Sequence, residues 1–297
     1  MAAVTNPKSL LLLALALVTV LYLVVWVRAV RRSPDKVERP NWRQSAIGFV
    51  TNFFDTLGIG SFAPTTALFR AGRIVRDEQI PGTLNVGHTL PTVAQALIYI
   101  VIVEVDFITL ASLIAASILG AWLGAGVVAQ WPRRRIQLGM GFALLVAAVI
   151  FASTNLKLLP GGGTALGLEG PRLLIGLIGN FVLGALMTLG IGLYAPCLIM
   201  IGLLGMNPKA AFPIMMGSCA FLMPTASIRF IRAGSYNLTA ALGLAIAGVP
   251  AVLLAAFIVK SLNVTAVRWL VTIVVLYTAI TMLTTARREK TAALGTV

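Results

Sequence analysis

Residues 56–64 read TLGIGSFAP and residues 188–196 read TLGIGLYAP. Seven of the nine positions are identical, and the copies lie 132 residues apart. Both sit inside long apolar stretches. Gly-x-Gly followed by Pro should disrupt a helix there, since glycine loosens the backbone and proline removes a donor. The likeness extends outward: over 48–64 against 180–196, nine of 17 positions are identical, and Pro81 matches Pro213 at the same offset. This is an internal repeat.

The surrounding composition sets the solvent. Only 11% of the 297 residues are charged, 59% are hydrophobic, and the mean hydropathy is +0.96. Soluble domains carry about 25% charge. Uncharged runs such as LLLALALVTVLYLVVWV (11–27) and MGFALLVAAVIFAST (140–154) are long and apolar. The chain therefore reads as an all-α polytopic membrane protein. The net charge of +14 does not point to nucleic acid, because the basic residues stand at the ends of apolar runs. That is the pattern of positive-inside topology signals. Cys197 and Cys219 lie in apolar segments, with no CxxC motif and no nearby histidine.

Apolar runs predict a first helix over 10–27, then spans at about 82–104, 107–130, 136–154, 210–231, 237–259 and 266–286. The basic cluster after the first run predicts that its N-terminus is outside and its end cytoplasmic. The stretches 45–71 and 174–205 hold the repeated motif. If both crossed the membrane, 13 of the 23 lysines and arginines would fall inside and 10 outside. If both are re-entrant hairpins, 17 fall inside and six outside, namely Lys8, Lys157, Arg172, Lys209, Lys260 and Arg268. The hairpin arrangement obeys the positive-inside rule better. It predicts an N-terminal helix and basic linker (1–44), repeat one (45–154), a linker (155–176), repeat two (177–286) and a cytoplasmic tail (287–297). Each repeat is a broken hairpin followed by three spans, and the odd count inverts the second relative to the first. That plan recurs among secondary transporters.

The hairpin tips are the candidate site. Gly58 and Gly60, with Gly190 and Gly192 in the second copy, permit a sharp reversal. Pro64 and Pro196 suit the first turn of the returning helix. Backbone N–H groups at such a helix start attract anions. Two inverted tips are expected to hold one small anion between them. Asn52, Thr56, Ser61, Phe62 and Thr65 in repeat one, and Thr188 and Tyr194 in repeat two, flank the tips as candidate substrate contacts. Asn85, Gln95, Ser218 and Thr225 on the following spans are candidates to line the same cavity. Asp55 is the single acidic residue well inside a membrane stretch, and His88 is the sole histidine. An ionisable group at such depth is a functional hypothesis by default, so Asp55 or His88 is expected to couple proton movement to transport. With one histidine there is no HExxH or di-histidine metal site, and there is no GxSxG nucleophile elbow or P-loop. No enzyme activity, cofactor or metal is expected.

GFVTNFFDTLGIGSFAPTTALFR (48–70) and GALMTLGIGLYAP (184–196) resemble the sulfite exporter TauE/SafE family, also called the toluene-sulfonate uptake permease family. The resemblance covers about 45–286. Many members show three glycines in a row at the first motif; this chain has GIGS. The resemblance implies transport of sulfite, organosulfonates or similar small anions across the bacterial inner membrane. The expected function is a secondary transporter, with an anion channel of the same architecture as the alternative. The expected partners are the small anion and membrane lipid, with no nucleic acid; a homodimer is compatible with this reading.

Overall fold

The computed structural model describes residues 7–32, 38–76, 79–128, 163–187, 192–261 and 264–294, and scattered positions from 134 to 158. Among them are ten helices: α1 (Pro7–Arg32), α2 (Trp42–Thr56), α3 (Phe62–Gly72), α4 (Ile80–Ile102), α5 (Phe107–Val128), α6 (Gly170–Met187), α7 (Tyr194–Leu203), α8 (Ala211–Arg232), α9 (Leu238–Ser261) and α10 (Val264–Leu294). A short 3₁₀ turn (Pro208–Ala210) precedes α8. Among the described residues there is no strand beyond an isolated bridge between Ala165 and Met206. Among the described residues, five helices are long and apolar enough to cross a membrane: α1, α4, α6, α8 with its preceding turn, and α9. The protein is an all-α polytopic membrane protein. The span expected over 136–154 falls largely outside the described residues.

The chain forms two compact units. The first contains Met1–Phe107 and Met216–Ser261, the second Ile108–Met215 and Leu262–Val297. Each unit takes segments from both halves of the sequence.

In the first unit, α2 begins with a capping box. Asn41 Oδ1 accepts from the Gln44 N–H and Gln44 Oε1 from the Asn41 N–H, each at 2.9 Å. This satisfies two donors that a helix start leaves free. The helix stops at Thr56 because Gly58 and Gly60 adopt φ values of 100° and 86°, a region costly for any residue with a Cβ. The chain reverses and α3 runs back until Arg73, in the left-handed region at φ 48°, ends it. Both ends of this hairpin meet the start of α9. A Cβ on Gly243 would lie 3.2 Å from Pro40 and 2.9 Å from Gln44, while Phe69, Val75 and Ile80 pack with Ala240 and Leu244. So the start of α2 and the end of α3 lie at one end of the hairpin. The 15 residues of α2 make it about 22 Å long, shorter than a hydrocarbon core of roughly 30 Å.

Close backbone approach holds α2 against α9. A Cβ on Gly48 would sit 2.7 Å from Gly243 O and from Leu244 Cα, and one on Gly248 would meet Asn52 Nδ2 and Pro91 Cγ at 2.5 Å. Small residues at helix contacts are the usual membrane solution, since lipid tails give no hydrophobic drive between helices. The first helix packs Tyr22 and Trp26 against Val86, Ala241 and Ala245, and Tyr22 Oη donates to Val86 O at 2.8 Å. Its opposite face shows Leu10, Leu13, Leu17 and Leu21 outward.

The second unit repeats the device. A Cβ on Gly179 would strike Met200 Sδ, and one on Gly176 would lie 3.5 Å from Leu204. Thus α6 and α7 run antiparallel, with their outer ends together. At the positions 132 residues beyond Gly48 and Asn52 stand Asn180 and Gly184. Asn180 Nδ2 donates to Leu113 O at 2.6 Å, and a Cβ on Gly184 would collide with the Ser117 backbone. In each unit, the first arm of the hairpin is therefore packed at corresponding positions by a helix from the other half of the sequence: α9 on α2, and α5 on α6.

Candidate functional site

The first hairpin carries a buried polar cluster that α4 ties together. Asn52, Asp55 and Thr56 lie on successive turns of α2, Ser61 and Thr65 start α3, and His88 and Gln95 stand two turns apart on α4. All seven are buried. Positions seven apart share a helix face, so α4 presents one imidazole and one amide to the hairpin.

His88 joins both arms. Its Nδ1 is 2.9 Å from Asn52 Oδ1 and its Nε2 is 3.1 Å from Thr65 Oγ1. Asn52 Nδ2 donates to Gly48 O at 2.7 Å, so Asn52 Oδ1 faces the ring as an acceptor. A neutral imidazole with its hydrogen on Nδ1, accepting at Nε2 from the Thr65 hydroxyl, satisfies every member. The Phe62 ring lies 5.9 Å from the imidazole, tilted by 32°.

Gln95 serves the tip. Its Nε2 donates to Asp55 Oδ2 at 2.8 Å and to Thr56 Oγ1 at 2.9 Å. Thr56 in turn donates to Asn52 O at 2.8 Å. The Ser61 hydroxyl and N–H also stand beside the Asp55 carboxylate. Ser61 is the N-cap of α3 yet makes no side-chain bond to its own helix; its hydroxyl faces Asp55 instead. The carboxylate therefore sits on the start of α3, where backbone donors and the helix dipole favour negative charge. Its partners are neutral donors, and the buried polar residues among those described include no lysine or arginine. Beside it, a Cβ added at Gly60 would meet nothing within 4 Å, so the turn borders open space.

Residues 1–151 match the family described as sulfite exporter TauE/SafE. The chain belongs to this family. It is a multi-pass membrane protein of the TauE/SafE transporter family, and the matched stretch contains every member of the polar cluster. No curated protein and no solved structure matches the chain.

The other sequence candidates of this TauE/SafE protein are distributed more widely. Asn85 is partly exposed and donates through Nδ2 to Pro81 O at 2.9 Å on its own helix, apart from the cluster. Ser218 is fully buried on α8. In the second unit Tyr194 is buried at the first position of α7. Gly192 precedes it with open space at its Cβ and no left-handed φ. Thr188 and Gly190 lie outside the described residues. Thr56 bonds its own backbone, as membrane threonines commonly do, but also accepts from Gln95.

Two roles were not visible from sequence. Gln95 reads as a cavity-lining candidate, and its grip on Asp55 and Thr56 emerges only when α4 is laid on α2. The seven-residue spacing from His88 was the available signal. Asn180 reads as ordinary, although a buried amide in an apolar helix needs a partner, here Leu113 O.

Gln95→Leu removes the donor shared by Asp55 and Thr56. The expected cost is about 1–3 kcal/mol, read as a lowered melting temperature of the purified protein. An unchanged melting temperature would show that the bonds contribute nothing to the folded state.

Proposed function

We propose that this protein is a secondary transporter of a small anion, sulfite or an organosulfonate, in the bacterial inner membrane, with its N-terminus outside and its C-terminus cytoplasmic. The observation that carries the reading is the oxyanion grip at the first tip. Ser61 N–H, Ser61 hydroxyl and Gln95 Nε2 converge on a carboxylate deep in an apolar helix cluster. Donors fixed in that way suit a sulfonate or sulfite oxygen by the same chemistry. Membership of a family named for sulfite export supports the substrate class. The second repeat supports a paired device, since α7 also begins shortly after a glycine, Gly192, with Pro196 in its first turn. No nucleotide motif is present to supply energy, so a proton or substrate gradient drives the movement.

Ligands of the native state raise its stability, by about 2.7 kcal/mol at a hundredfold excess over Kd. Among sulfite, organosulfonates and carboxylates offered to the purified protein, the sulfur anions are expected to raise the melting temperature most. A panel in which none of them stabilises the protein at any pH would overturn the substrate class.

A further inference from the structure

The group that grips the first tip's donors is the protein's own. We propose that the Asp55 carboxylate is a tethered stand-in for the transported anion, so that the anion takes the Ser61 and Gln95 donors only when Asp55 carries a proton, giving one proton bound per anion. This inference rests on the anion-transport reading above and specifies its coupling.

The donor count supports it. A carboxylate only accepts hydrogen bonds, and here it faces three donors: Ser61 N–H, Ser61 hydroxyl and Gln95 Nε2. An incoming oxyanion requires the same kind of donor. With Asp55 ionised, the donors are spent and a second negative charge would enter a buried site. Two like charges at such depth are costly without a cation, and the buried polar residues among those described include neither lysine nor arginine. A proton on an Asp55 oxygen removes the charge and the competition together. The proton arrives from water on one face and leaves to water on the other, and no bond other than O–H forms or breaks.

The neighbouring groups do not supply the proton another way. Of the elements packed on α2, α3 carries Arg70 at its far end, α4 carries His88 and Tyr99, and α9 carries Lys260 at its far end. The His88 ring is engaged at both nitrogens by Asn52 and Thr65. Between His88 and Asp55 stand the amides of Asn52 and Gln95, which hold hydrogen bonds but do not pass protons on. His88 is thus a positioning residue, and Asp55 the one that exchanges. The second hairpin has Met187 where the first has Asp55, so the exchange belongs to one tip.

The test is calorimetric binding of methanesulfonate, whose sulfonate stays ionised throughout, to the purified full-length protein across pH in buffers of different ionisation enthalpy. Wild type is expected to take up one proton per anion in the alkaline range, with Kd rising about tenfold per pH unit there. Asp55→Asn is expected to bind with no proton uptake and a flat pH profile, and His88→Gln to keep the wild-type profile. Wild-type binding without proton uptake overturns the inference and leaves anion transport standing, and needs no variant to fold. Folded Asp55→Asn that binds with the wild-type pH dependence, or does not bind, overturns it too. Wild type that binds neither methanesulfonate nor sulfite at any pH overturns the transport reading and this inference together.

Discussion

Gly192→Leu is expected to abolish anion transport in reconstituted vesicles while leaving the protein folded. Gly192 immediately precedes the turn into α7, and a Cβ placed there meets nothing within 4 Å. Its φ lies outside the left-handed region, so a side chain brings no backbone strain. A leucine would extend into the open space at the helix start, where an anion would need to approach the backbone donors. Transport should fall at least about tenfold, the equivalent of about 1.4 kcal/mol of lost interaction. Gly184→Leu provides the contrast. Its Cβ would collide with the Ser117 backbone, so that variant should lose folded protein rather than transport alone. Normal uptake by Gly192→Leu would remove the second tip from the mechanism.

His88→Ala should cost about 3–5 kcal/mol of stability, from two abandoned polar groups and the cavity left by the ring. Asn52 Oδ1 and Thr65 Oγ1 would each lose a partner in a region that water does not reach. The two arms of the first hairpin would also lose their common attachment to α4. Thermal unfolding of the purified protein measures this directly. His88→Gln, which keeps a donor and an acceptor at the end of the side chain, should recover part of the loss. Equal stability of wild type and His88→Ala would show that the ring is not the tie described here.

Much of this arrangement was legible in the sequence because membranes simplify the problem. Without water to satisfy backbone groups, the apolar runs at 82–104, 210–231 and 237–259 had to be helices, and α4, α8 and α9 follow them closely. The charge distribution pointed to hairpins because Arg70, Arg73 and Arg76 needed the same face as Arg39 and Arg43. In the structure Pro40 and Gln44 lie beside the start of α9, as do Phe69 and Ile80. Partner choice was illegible. That α9 packs on α2, and α5 on α6, depends on Gly48, Gly243, Gly248 and Gly184, and a glycine in an apolar run does not say which backbone it admits. The tip was legible as a turn and not as an occupied one. At the helix start where an anion was expected, the Ser61 N–H faces the Asp55 carboxylate instead. Reading that in advance required knowing that the five residues between them would fold back far enough to bring the two together.

The measurement closest to the central claim is counterflow in proteoliposomes. Vesicles loaded with unlabelled methanesulfonate or sulfite and diluted into a trace of the labelled anion should accumulate label transiently above equilibrium, because a carrier exchanges bound anions. Wild type is expected to show that overshoot, with Gly192→Leu and protein-free vesicles showing none. A wild-type protein that passes label without overshoot would be a channel, and one that passes no anion under any gradient would contradict the account outright.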